Sequence, residues 1–186
     1  MRLLNRWNDG RARRAAARRA YEAIVAQARR PWLYTAQGVP DTAESRYEAI
    51  CLYATLTVDR LRRACPRGHA LADTLFQVMF RDIDANLREL GVGDLAVPKR
   101  VRRMGRAFNG RLAAYTAALA RDDAAALGDA LDRNLFRETH VEPEALSAVA
   151  GHVLAQRRAL ASQADETVLT GAIAFVDDAE VAEAAA

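Results

Sequence analysis

Few side chains in this chain could do chemistry, and their spacing does not assemble them. The three histidines, His69, His140 and His152, stand in unrelated local contexts, and no pair has the i, i+4 spacing that puts two imidazoles on one helix face for a metal. Their contexts imply helix-start, loop and surface positions. With Met79 and Met104 they are the candidate axial ligands for a haem, although both methionines fall on apolar stripes where core packing accounts for them. Two acidic pairs, Asp82 with Asp84 and Asp129 with Asp132, resemble the carboxylates by which all-α diphosphate enzymes hold magnesium. That chemistry needs two carboxylate clusters on facing helices; neither pair matches such a motif, so both read as solvated helix faces. Cys51 and Cys65 would lie ~21 Å apart along one helix, beyond disulfide reach, which points to a reducing compartment. Cys65 has no histidine beside it in sequence and reads as an inert thiol. No glycine-rich phosphate loop, nucleophile elbow or CxxC occurs. The expectation is a protein with no catalytic residue, metal ligand or cofactor, whose work is binding.

The charge pattern says where binding would occur. Of 27 basic residues only Lys99 is a lysine, and the net charge of +3 conceals a strong segregation. Residues 1–30 carry nine arginines against Asp9 and Glu22; residues 61–111 hold eleven basic groups against five acids; residues 159–186 hold six acids and no base. Segregation of this kind suits polyanionic or membrane-surface partners. No run approaches the roughly 20 apolar residues of a spanning helix, and no apolar signal region follows the start, so a soluble or peripheral protein is expected. The Arg-rich start has the composition of a mitochondrial transit peptide but lacks serine.

The 186 residues, 51% apolar and 27% charged, are enough for one sizeable core. The elements that must position these side chains are helical almost throughout. From Glu44 to Ala64, Tyr47, Ile50, Cys51, Ala54, Val58 and Leu61 form one stripe, with Asp41 or Thr42 as cap. A second helix is predicted over His69–Leu90, with Leu71, Leu75, Val78, Met79, Ile83, Leu87 and Leu90 inward. A third, near Lys99–Ala120, aligns Val101, Met104, Phe108, Leu112, Tyr115 and Leu119 beneath a basic outer face. Asp122 or Asp123 can cap a fourth bearing Leu127, Leu131 and Leu135. Glu142-Pro143-Glu144 suits the first turn of a fifth, with Leu146, Val149, Val153 and Leu160 inward. An Arg-rich helix from about Gly10 to Arg30 precedes them, and Val168–Val176 can be a short helix, a strand or a docking tail. The expectation is all-α, a single domain of about five to seven helices: a basic helical N-terminal arm (1–30), the helical domain (31–162) and an acidic, frayed C-terminal tail (163–186).

The stretch from Arg88 to Arg100 is the most informative. Gly91 ends a helix, Gly93 permits a reversal, and Asp94 can accept backbone hydrogen bonds in the turn. Leu95 and Val97 can tuck into the core while Pro98 sets the entry to the next helix. Lys99, Arg100, Arg102, Arg103 and Arg106 follow. On pattern alone, this is first an αα-hairpin connector with a solvated basic face; the sharper reading is a presented loop backed by a basic surface for RNA, a phospholipid headgroup or an acidic protein.

The same block, led in by Phe76 to Leu87 and followed by Val101 to Arg111, closely resembles the ubiquinol-cytochrome c chaperone family. Tyr34 to Leu61, opening on Gly38-Val39-Pro40-Asp41-Thr42, and Leu131 to Phe136 are similar too, so the resemblance spans about residues 30–140. At Asn109, where the pattern implies an aromatic, the chain departs from it. The resemblance implies a non-catalytic assembly factor for respiratory complex III that binds newly made cytochrome b. In mitochondria the family acts with a small partner subunit near the ribosome exit tunnel. By resemblance, the implied partner surface comprises Gly91, Gly93, Asp94, Pro98, Lys99, Arg100 and Arg103, with the ribosome and an anionic inner-membrane surface as further candidate partners. The implied location is cytoplasmic, peripheral on the inner membrane, or the matrix in a mitochondrial member. The rival reading is a ribosome- or RNA-associated module with another client.

Overall fold

The computed structural model describes residues 2–121, 123–137 and 141–177. Five helices of 20 residues or more carry the core: α1 (Arg2–Ala28), α3 (Ala43–Ala64), α4 (Pro66–Glu89), α5 (Val97–Ala120) and α7 (Pro143–Ser162). Short helices α2 (Trp32–Thr35), α6 (Ala124–Leu131) and α8 (Asp165–Leu169), with a π-helical turn at Asp132–Phe136, make the connections. Among the described residues there is no strand. The all-α expectation holds.

Local chemistry sets the boundaries. Thr42 caps α3, its hydroxyl oxygen accepting from the Ser45 N–H at 3.1 Å, while Asp41 pairs instead with Arg46 at 2.6 Å. Asp123 caps α6 by accepting from the Ala126 N–H at 2.9 Å; the alternative cap, Asp122, lies outside the described residues. Pro66 and Pro143 open α4 and α7, where a missing N–H costs no helical bond.

The centre of the molecule is α3, which packs against α1, α4, α5, α7, the π turn and α8. That position explains why it is buried nearly all round from Cys51 to Val58 rather than along the single stripe its periodicity implies. On α4, Leu71, Leu75, Met79, Ile83 and Leu87 are buried as expected, with Val78 half-buried.

Both chain ends depart from the expected three-part division. Residues 10–30 are not a separate arm: Ala16, Ala17, Ala20, Tyr21, Ile24 and Ala28 are buried against α3 and α4. The Arg13 guanidinium Nε donates to Thr74 Oγ1 at 3.0 Å and the Tyr21 hydroxyl to Asp82 at 2.7 Å, so α1 runs parallel to α4. Small alanines on the inner face let the two backbones approach, and an Arg-rich composition obscures them. The tail is ordered as far as it is described. Val168 on α8 is buried, and residues 172–177 run extended over α3 and α7, with Ile173 buried and Phe175 edge-on to Tyr53 at 5.3 Å. Gly171 permits this path: its φ is +82°, and a Cβ there would stand 2.0 Å from the Ala16 carbonyl oxygen.

Candidate functional site

The α4–α5 hairpin carries the residues that the sequence singles out. Helix α4 ends in a Schellman motif, the Gly91 N–H donating to Arg88 O at 2.9 Å and the Val92 N–H to Leu87 O at 3.0 Å, with Gly91 at φ +78°. The Ala96 and Val97 N–H groups close a further turn on Gly93 O at 2.8 and 3.2 Å. The loop backbone is therefore hydrogen-bonded, and Gly91, Gly93 and Asp94 are held exposed at its tip. Pro98, Lys99, Arg100 and Arg103 follow on the first turns of α5, also exposed, so the structure gathers the seven residues on one end of the hairpin.

Three details differ from expectation. Val97 is buried, but Leu95 is 97% exposed and Leu90 77% exposed, so neither enters the core. The Schellman reversal turns the chain away from the core one residue after Leu90, and the Gly93 turn lifts Leu95 off it before Val97 re-enters. Asp94 accepts from Arg88, which also bridges to Asp84 at 2.7 Å. Asp84 first, and Asp94 after it, hold the Arg88 guanidinium above its ordinary pKa.

Helix α5 is fixed from behind. Phe108 is buried and meets Phe76 and Phe80 of α4 edge-on, at 5.1 and 6.3 Å between ring centroids. Arg111 grips the buried Glu48 carboxylate of α3 through both nitrogens Nε and Nη2. Burial pushes the Glu48 carboxyl up while Arg111 pulls it back; the guanidinium, which burial disfavours, is in turn held charged by Glu48. We take the pair as ionised near neutrality, because a bidentate fork leaves neither charge unmatched. Asn109 is exposed on α5.

The remaining candidates are dispersed. Asp82 and Asp84 are engaged by Tyr21, Asn86 and Arg88, and Asp129 and Asp132 lie on the far α6–π segment. Among the described residues no group of three His, Cys, Asp or Glu side chains is placed to hold a metal ion, and no helix is long and apolar enough to cross a membrane. Both cysteines are free, and burial pushes the Cys51 thiol up to about 12. His69 is exposed in the first turns of α4, and His140 lies outside the described residues.

His152 contradicts its expected surface role. It is 1% exposed, stacked on Trp32 at 4.6 Å, with Nε2 in contact with the Tyr53 hydroxyl at 3.0 Å and the Gln156 amide nitrogen at 3.3 Å. Burial first, and Arg30 second, lower its pKa to about 4. Sequence reasoning missed this cluster because its members come from α2, α3 and α7. Also missed were two open clefts. One, of about 210 Å³, lies between α3 and α7 beside Asp59, Arg63, Arg157 and Arg158. The other, of about 540 Å³, lies beside Asp9, Arg13, Arg19 and Arg67.

The fold and the hairpin define a class of protein: an all-α body with an exposed, hydrogen-bonded loop and a basic helix face at one end of a hairpin. Residues 35–175 match the family model described as ubiquinol-cytochrome C chaperone, and the chain belongs to that family. Its family therefore makes it a chaperone associated with assembly of the ubiquinol-cytochrome c complex. Among solved structures, the Cbp3 homolog from Brucella abortus is 38% identical, with 97% of this chain and 99% of that chain covered at a TM-score of 0.84. No curated protein matches the chain.

Proposed function

We propose that this protein is a non-catalytic chaperone that binds newly made cytochrome b and holds it until the other subunits of the cytochrome bc complex join. The observation that carries the reading is the family match over residues 35–175, which includes the whole hairpin and the central helix α3 behind it. The chaperone lowers the population of aggregation-prone apoprotein by mass action, with no chemical step. It works in the cytoplasm, peripherally at the inner membrane, with Gly91, Gly93, Asp94, Pro98, Lys99, Arg100 and Arg103 on its partner-facing surface. The ribosome near its exit tunnel and a small partner subunit are further partners on this reading.

A deletion strain is expected to lose cytochrome bc activity and b-type haem absorbance while other respiratory enzymes persist, and an unchanged absorbance would sink the proposal. Photo-crosslinking from residues 91–103 in cells is expected to capture cytochrome b. Capture of ribosomal protein or RNA in its place, with normal b-type haem, would replace this reading with a ribosome-associated factor for another client.

A further inference from the structure

Leu90 and Leu95 are the two exposed large apolar side chains among the described residues, and both project from the tip of the α4–α5 hairpin. The tip is not frayed, since its turns are closed by the backbone bonds of Leu87, Arg88 and Gly93. Behind it, helical spacing puts Lys99, Arg102, Arg103 and Arg106 on one outward stripe of α5, with Arg100 at its flank. All five are exposed, and none has an ion-pair partner recorded among the described residues. Two acids lie close by in sequence, Glu89, which is exposed, and Asp94, which Arg88 offsets.

We infer that this tip docks on an anionic phospholipid bilayer, with Leu90 and Leu95 entering the boundary between headgroups and acyl chains and the basic stripe of α5 lying against the headgroups. The inference deepens the proposed function and rests on its partner surface: it names the membrane as what that surface meets, beside the client. Two apolar side chains at the edge of a cationic face are the arrangement of a peripheral membrane anchor, in which insertion and charge attraction each supply part of the affinity. RNA would engage the cations but give the leucines nothing. Single-strand sites stack bases on aromatic rings, and residues 88–106 contain no aromatic. An acidic protein would engage the cations but would need a pocket shaped to take both protruding leucines, whereas a bilayer demands no shape match.

The test uses the full chain and large unilamellar vesicles of phosphatidylcholine, with or without about one-third phosphatidylglycerol. Sedimentation with the anionic vesicles is expected, falling with added salt. The doubly substituted variants Leu90→Asn with Leu95→Asn, and Lys99→Glu with Arg103→Glu, should each weaken partitioning roughly tenfold or more. The substituted side chains are exposed, so far-UV circular dichroism should be unchanged. Leu95→Trp should gain fluorescence quenched by brominated lipid, above the background of the native tryptophans. No vesicle binding, binding that survives both variants, or cation-dependent binding of single-stranded RNA alone would each overturn the inference. Vesicle binding is read with lipid only and b-type haem in the deletion strain, so either proposal can fail while the other stands.

Discussion

His152 is a residue at which burial and the nearby Arg30 charge both favour the neutral imidazole. An imidazole sealed between Trp32, Tyr53 and Gln156 is tolerated neutral, and its pKa near 4 says that protonation must wait for strong acid or for unfolding. The unfolded chain, with an ordinary histidine near 6.5, binds the proton first as the pH falls. A lowered folded-state pKa therefore means stability is full above about pH 6.5 and declines through the window down to about 4. The loss between pH 7 and pH 5 should be roughly 2 kcal/mol from this group. Urea titrations at the two pH values should show it, and His152→Leu should flatten the difference even if it lowers stability at pH 7. A slope that persists undiminished in the variant would place the titration elsewhere.

At the scale of elements, the extended segment 172–177 is held by two side chains seven residues apart, Gln156 on α7 and Gln163 at its C-cap. The Gln156 amide donates to Val176 O and its Oε1 accepts from the Val176 N–H, both at 2.9 Å. Gln163 does the same for Ala174, at 2.6 and 3.1 Å. The two glutamines stand in for a neighbouring strand. Buried Arg60 ties the same corner, donating to Leu160 O at 2.8 Å, Gln163 O at 2.5 Å and Asp165 at 2.6 Å. Gln156→Ala should cost about 1–3 kcal/mol, and its effect should be clearly smaller in a Phe175→Ala background, because both substitutions release one segment. Full additivity in a denaturation cycle would show that the segment is not one unit. The sequence left Val168–Val176 open between a short helix, a strand and a docking tail, and it hid what holds the segment, because Gln156 and Gln163 look like solvated positions. The core helices were legible because their apolar repeats and caps are local signals, as at Thr42, Asp123 and Gly91. Leu90 and Leu95 were misread for the complementary reason. Each continues an apolar pattern, and only the geometry of the turns shows that the pattern has already left the core.

For the molecule as a whole, the two basic blocks do different work, although composition alone cannot tell them apart. In α1, Arg13 reaches Thr74 and Arg19 donates from Nε to the Thr170 carbonyl oxygen at 3.0 Å, where α8 ends, while Arg30 at the α1–α2 junction pairs with Asp177 at 2.8 Å. These arginines stitch the first helix to α4 and to the C-terminal strap, and Asp177, the last described residue of the acidic tail, has its counter-charge in Arg30 of the same chain. On α5 the outward cations face solvent and make no ion pair among the described residues, as the proposed docking face requires. Stability and binding should then separate along this division. Arg19→Met removes a charged donor from an exposed helix end and should cost about 1 kcal/mol, the lower part of the range for such bonds because solvent screens it. Arg103→Met should stay within about 0.5 kcal/mol of the parent, since no described contact is lost. Chemical denaturation of the two variants side by side checks the division. Equal losses would mean that the hairpin cations also brace the fold, and the case for a free docking face would have to be abandoned.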